Sequence, residues 1–161
     1  GRDRVRDFVR KGGGYVGVCA GAYMGASEPS HYGLGLAAVR CADTKHWRRG
    51  GGQRVDVEAA TLFEEFSGVS KKAQRIFYMN GPLLEIMEVE GLPPVDPLLT
   101  FVSDVHDNDA PAGVMPGKLA GLRTEFKKGR VVLFSVHPEL TAGYERTIVR
   151  SVLWAARRAT E

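Results

Sequence analysis

Tyr15-Val16-Gly17-Val18-Cys19-Ala20-Gly21 is the stretch on which the reading of this chain turns. Tyr15 to Val18 is short and continuously apolar, the mark of a strand buried on both faces. Small residues follow at once at Ala20, Gly21, Ala22, Gly25 and Ala26, consistent with a helix packed close to a sheet. Upstream, residues 2–11 read as an amphipathic helix. Val5, Phe8 and Val9 fall at i, i+3 and i+4, while Arg2, Arg4, Arg6 and Arg10 face water. Gly12-Gly13-Gly14 stops that helix, because glycine reaches the backbone conformations that a helix end and tight turn require. Helix, strand and helix in immediate succession is α/β grammar.

Cys19 stands where the buried strand turns into the following helix, flanked by Gly17 and Gly21. A side chain on such a turn is held in a strained backbone, and flanking glycines remove the Cβ clashes. The sulfur is then presented above the carboxyl ends of the strands, where α/β folds place their ligands. A helix N-terminus favours thiolate over thiol, and the Ala20 N–H points to where an oxyanion would form. A small buried cysteine in a glycine-rich turn is the plainer alternative.

The second signal is Arg130 to Val136, an apolar strand that runs into His137-Pro138-Glu139. A nucleophilic cysteine needs a base, and the base needs an orienting carboxylate. His137 and Glu139, two apart in a segment that Pro138 would keep extended, are expected on the same side. Both motifs directly follow apolar strands, so in a parallel sheet Cys19, His137 and Glu139 would share one edge.

The rest of the chain reads as further strands. Leu36 to Cys41 and Gln53 to Val57 flank Trp47-Arg48-Arg49-Gly50-Gly51-Gly52, read as a hairpin or an excursion. Thr61 to Phe66 suggests a helical turn, and Arg75 to Met79 and Leu98 to Ser103 suggest strands. Residues 104–117 are rich in Asp, Pro and Gly and read as loop; His106 with Asp104, Asp107 and Asp109 is taken as solvated rather than metal-binding. Leu119 to Phe126 and Arg130 to Val136 form a hairpin across Lys127-Lys128-Gly129. Tyr144 to Arg158 is an amphipathic helix with Ile148, Val149, Val152, Leu153 and Ala156 inward. Tyr23, His31, Tyr32, Tyr78 and Asn80 are weaker candidates for a substrate pocket, and Cys41 reads as core.

Composition bounds the function. The chain has 161 residues, 43% of them hydrophobic, enough for one domain over residues 1–161 with a true core. No apolar run is long enough to span a membrane. A net charge of +3, dispersed along the chain, gives no sign of a nucleic-acid partner. Two cysteines make no disulfide framework, which fits a reducing compartment such as the cytoplasm.

Three segments together resemble a known family: GGGYVGVCAGAY at residues 12–23, IFYMNGPLL at residues 76–84 and VVLFSVHPE at residues 131–139. They are similar to the class I glutamine amidotransferase-like superfamily, and most resemble the amidotransferase-like N-terminal domain of biotin–protein ligases. The resemblance implies a flavodoxin-like three-layer α/β sandwich with a mostly parallel central sheet. It also implies a nucleophile at Cys19, a base at His137 and an orienting acid at Glu139. Glutaminases of the superfamily carry Gln where this chain has Tyr23, and another branch carries His where it has Ala20. The chain also starts on the helix before the elbow strand, without the family's first strands and the loop that supplies a second oxyanion donor. The expected function is therefore a cysteine-dependent hydrolase or amidase-like domain acting on a small-molecule or amide substrate, without glutaminase activity, cofactor or metal. The alternative is a non-catalytic regulatory or interaction domain working with a synthetase or ligase partner.

Overall fold

The computed structural model describes residues 1–29, 31 and 33–157. Tyr32 and Arg158, named above as a pocket candidate and as a helix end, lie outside the described residues. The opening helix α1 (Arg2–Arg10) leads into β1 (Gly14–Val18), α2 (Ala20–Gly25), β2 (Ala26–Glu28) and β3 (Ala37–Cys41). After β4 (Gln53–Ala59) comes a 3-10 turn (Thr61–Phe63) running into α3 (Glu64–Ser67). β5 (Ala73–Tyr78), β6 (Leu84–Ile86), β7 (Asp96–Phe101), β8 (Leu119–Phe126) and β9 (Gly129–Phe134) follow. A second 3-10 turn (Pro138–Leu140) and α4 (Glu145–Ala155) complete the order.

The strands form one sheet in the order β2-β3-β6-β8-β7-β4-β5, to which β9 is joined through β8 and β1 through β9. Alternation along β9 divides the core. Val131 and Leu133 pack with Val9 of α1 and Ala22 of α2 on one face. Val132 and Phe134 pack with Phe63, Phe66 and Tyr144 on the other, where Ile148 and Trp154 of α4 also lie. Helices therefore cover both faces, the three-layer arrangement that the resemblance implies.

The sheet is not mostly parallel. Among the described pairings only β1–β9 and β2–β3 are parallel, and the others are antiparallel. The physical reason lies in the connections. A parallel pair needs a crossover, usually a helix, and between β4 and β9 the only helix is the short α3. Strands joined by turns and loops fold back on one another instead. Of the two readings of residues 47–52, the hairpin does not form and the excursion does. β3 pairs with β2 and β6, whereas β4 pairs with β5 and β7, so this segment is an excursion between distant parts of the sheet.

Two helix faces also differ from expectation. In α4 the buried residues are Thr147, Ser151 and Ala155, while Val149 and Val152 are exposed. Small residues face the sheet here because the helix lies close to it: a Cβ on Gly14 would stand 2.7 Å from the Ala155 carbonyl oxygen. In α1 only Val9 is buried, and Phe8 and Val5 are exposed. Arg6 turns inward instead, donating to the Leu34 and Gly35 carbonyls and lying over the Phe126 ring.

Candidate functional site

The parallel β1–β9 pair sets the spacing of the site. Gly14 to Val18 run in register with Arg130 to Phe134, and the ladder continues as the Cys19 N–H donates to the Phe134 carbonyl at 2.8 Å. Both strands thus end at the same level, with Cys19 following one and His137 shortly after the other. Cys19 has φ 51° and ψ −109°, a left-handed conformation that is costly for a residue with a Cβ. Its neighbours hold it there. A Cβ on Gly17 would stand 2.5 Å from the Gly21 carbonyl oxygen, and the Tyr15 hydroxyl donates to that same oxygen at 2.8 Å. The thiol donates to the Met79 carbonyl at 3.5 Å.

His137 is held from three directions. Its N–H donates to the Phe77 carbonyl at 2.7 Å, which ties it to the end of β5. Its carbonyl accepts the Thr141 hydroxyl at 2.8 Å, and the hydroxyl oxygen in turn accepts the Phe77 N–H at 2.9 Å. Its Nδ1 lies 2.7 Å from Glu139 Oε1. The segment is not extended, however: Pro138 to Leu140 form a 3-10 turn, and it is this turn that folds the carboxylate back onto the imidazole.

The other ring nitrogen, Nε2, is buried without a well-formed hydrogen bond. Interaction with Cys19 is the main cause raising the His137 pKa to about 9, with Glu139 adding to it and burial opposing it. A histidine whose pKa rises on folding stabilises the fold in full below its unfolded value of about 6.5. That contribution disappears as pH rises through about 9. Unfolding midpoints measured from pH 6 to 10 should therefore fall more steeply for the native chain than for His137→Gln. Parallel pH profiles would show that the imidazole is not charged in the fold.

A cleft of ≈ 600 Å3 opens beside the sulfur, lined by Cys19, Ala20 and Tyr23 on one side and by residues 79–83 on another. Asn80 is in this wall, in a left-handed conformation (φ 55°), with its Oδ1 buried and without a hydrogen-bond partner. Tyr78 does not reach the cleft. It is fully buried, its hydroxyl donates to the Gly81 carbonyl at 2.9 Å, and burial raises its pKa. His31 is exposed and outside the lining, its carbonyl accepting from Arg2 at 3.4 Å. Cys41 is not simply core: it ends β3 in the cleft wall, and burial pushes its thiol up to about 12.

The third wall comes from the excursion after β3, in which the sequence reading singled out no functional residue. It contributes Asp43, Thr44, Trp47 and Arg49. Arg49 is 1% exposed and donates to Asp43 Oδ2 at 2.6 Å. Burial alone would raise the Asp43 pKa, but hydrogen bonds from His46 and the His46 and Arg49 charges outweigh it and lower the pKa. The one available signal was Asp43 four residues before the Trp47-Arg48-Arg49 run, with no other acid between them. Among the described residues, no group of three or more His, Cys, Asp or Glu is placed to hold a metal. No described helix is long and apolar enough to cross a membrane.

A helix-covered sheet with a cysteine elbow and a histidine at adjacent strand ends is the architecture of class I glutamine amidotransferase-like proteins, and this chain has that fold. Its first 39 residues match the family model described as the N-terminal region of biotin-protein ligase. Among solved structures, a glutamine amidotransferase from Thermotoga maritima superimposes with a TM-score of 0.52 at 18% identity, over 97% of this chain and 52% of that one. PurLQS from Thermotoga maritima gives 0.55 at 16% identity, over 97% and 66%. A beta-galactosidase from Bacillus circulans gives 0.57 at 11% identity, over 95% and 20%. The chain therefore spans less than two thirds of the length of each of these structures. Comparison with curated proteins finds no match.

Proposed function

We propose that this chain is a cysteine-dependent hydrolase or amidase-like domain in which Cys19, His137 and Glu139 act as a triad. The observation that carries this reading is the strained Cys19 elbow set level with the His137–Glu139 pair by the β1–β9 register. The Cys19 thiolate would attack a carbonyl carbon, with the Ala20 N–H stabilising the oxyanion. The C–N bond then breaks as the imidazolium gives its proton to the leaving amine, and water hydrolyses the thioester with His137 as base. Glu139 orients the imidazole throughout. Tyr23, in the cleft wall where glutaminases carry Gln, argues against glutamine as the substrate. The free thiols of Cys19 and Cys41 suit a reducing compartment.

One observation favours a second reading. The family match is to the N-terminal region of a ligase, so a non-catalytic domain that regulates or contacts a synthetase or ligase domain is the alternative. Alkylation separates the two. Iodoacetamide at pH 7 should label Cys19 ahead of Cys41, and His137→Ala should slow the Cys19 reaction by about tenfold or more. A Cys19 rate equal to that of a free small thiol, and unchanged in His137→Ala, would leave only the non-catalytic reading.

A further inference from the structure

At the end of β1 remote from Cys19, three elements bring exposed cations together. Lys11 caps α1, Lys127 and Lys128 form the turn between β8 and β9, and Arg157 follows α4. Backbone contacts tie them into one surface. The Lys128 N–H donates to the Arg10 carbonyl at 3.4 Å, and Arg157 Nη2 donates to the Lys128 carbonyl at 2.8 Å. β1 starts beside this surface at Gly14 and rises about 16 Å to Cys19, and none of the four cations lines the cleft.

Among the described residues none of these four cations has an ion pair. Asp7 is taken by Arg10 at 3.1 Å, and Glu125 stands opposite Arg130 in the β8–β9 register. A helix C-terminus favours a cation, which accounts for Lys11 and Arg157 locally. It does not account for the turn. Lys127 has φ 57°, the left-handed region in which a two-residue hairpin favours Gly or Asn. Arg157 has φ 57° as well, where helix ends favour Gly. Two cations therefore stand where the backbone alone would choose an uncharged residue, and such an outlier points to a use for the side chain. Next to them Phe8 is 60% exposed, its ring lying over Gly13. Gly13 in turn touches the end of the turn, since a Cβ on Gly129 would stand 2.5 Å from its carbonyl oxygen. An exposed aromatic beside unpaired cations has the make-up of a docking surface.

We propose that this end of the domain docks an acidic polypeptide segment of a partner. Its carboxylates meet Lys11, Lys127, Lys128 and Arg157, and one apolar side chain meets Phe8. A polypeptide fits the surface better than a nucleic acid does. Four cations around a single aromatic offer few phosphate contacts and one stacking site, and α1 carries Asp3 and Asp7 among its arginines. The surface does not depend on Cys19, so a partner segment docked here leaves the cleft open.

The test is fluorescence anisotropy on the whole chain with three fluorescein-labelled probes. These are the peptide Glu-Glu-Leu-Glu-Glu, its counterpart Gln-Gln-Leu-Gln-Gln and a thymidine decanucleotide. The acidic peptide should bind, with its affinity falling about tenfold between about 50 and 200 mM salt, and the glutamine peptide should not. Lys127→Gly combined with Lys128→Gln should weaken the acidic peptide about tenfold. Lys127→Gly alone should weaken binding and yet raise the unfolding midpoint, because glycine takes the left-handed turn without steric cost. Equal binding of the two peptides, or acidic binding unchanged in the double variant, would overturn the docking surface. A decanucleotide bound more tightly than the acidic peptide would overturn the partner class. A Lys127→Gly midpoint below the native one would show that the lysine serves the turn, and would overturn its place in the surface.

Discussion

Gly81→Ala is expected to destabilise the protein by about 3 kcal/mol or more and to slow Cys19 labelling at the same time. A Cβ at this position would stand 1.9 Å from the Ser135 carbonyl oxygen and 2.8 Å from its carbon. Backbone cannot rotate away as a side chain can. The Ser135 N–H is fixed to the Ala120 carbonyl of β8 at 2.8 Å, and its hydroxyl donates to the Pro82 carbonyl. Relief therefore requires either the strand end leading to His137 or the 79–83 wall of the cleft to move. Both belong to the site, which is why stability and reactivity should fall together. Gly51→Ala is the control: nothing lies within 4 Å of its Cβ position, and its effect should stay within about 0.5 kcal/mol. Denaturant unfolding of the two variants reads the difference. A Gly81→Ala protein as stable as the control would mean that the two segments are not held in contact.

The second large effect belongs to the buried ion pair. Asp43→Asn should cost about 3 kcal/mol, because it leaves the Arg49 guanidinium charged and buried without its carboxylate. Asparagine keeps the Oδ1 acceptor that takes the Lys45 and His46 backbone N–H groups, so the turn survives and the charge alone is tested. Arg49→Met should cost less, since Asp43 keeps its hydrogen bonds to His46 and is less buried than Arg49. The double variant should be more stable than Asp43→Asn by a clear margin, an interaction that a double-mutant cycle reads directly. Additive losses would show that Arg49 is held by packing and not by its charge partner.

What could be read ahead of the structure was whatever is local. β1, the turn at Cys19, β9 and the histidine after it each announce themselves within a few residues, and their adjacency follows from two apolar strands ending in chemistry. The hairpin of β8 and β9 is equally local. What could not be read depends on partners distant along the chain. The sheet's direction is set by which strands lack a crossover helix, and β2 and β6, three residues each, are too short to show a period. The inward face of α4 was misjudged because pattern rules reward large apolar residues, whereas close approach to β1 admits Ser151 and Ala155 and turns Val149 outward. Nothing local marks Arg49 as buried, because a buried arginine is identified by its acid, and Asp43 looks like an ordinary loop residue until the loop is folded. The extended form expected of His137-Pro138-Glu139 was a local misjudgement: proline also opens 3-10 turns.

The β1–β9 pairing joins Gly14–Val18 to Arg130–Phe134, more than a hundred residues further along the chain. Seen along the time axis of synthesis, Cys19 is made well before its histidine. Strands β1 to β8 all precede β9, which arrives to lie beside β1, and closing so long a loop is the slow kind of contact. Throughout that interval the cysteine has neither its imidazole nor the level strand end that aims it. A nascent chain thus carries an ordinary thiol, and the reactive centre comes into being only when β9 docks.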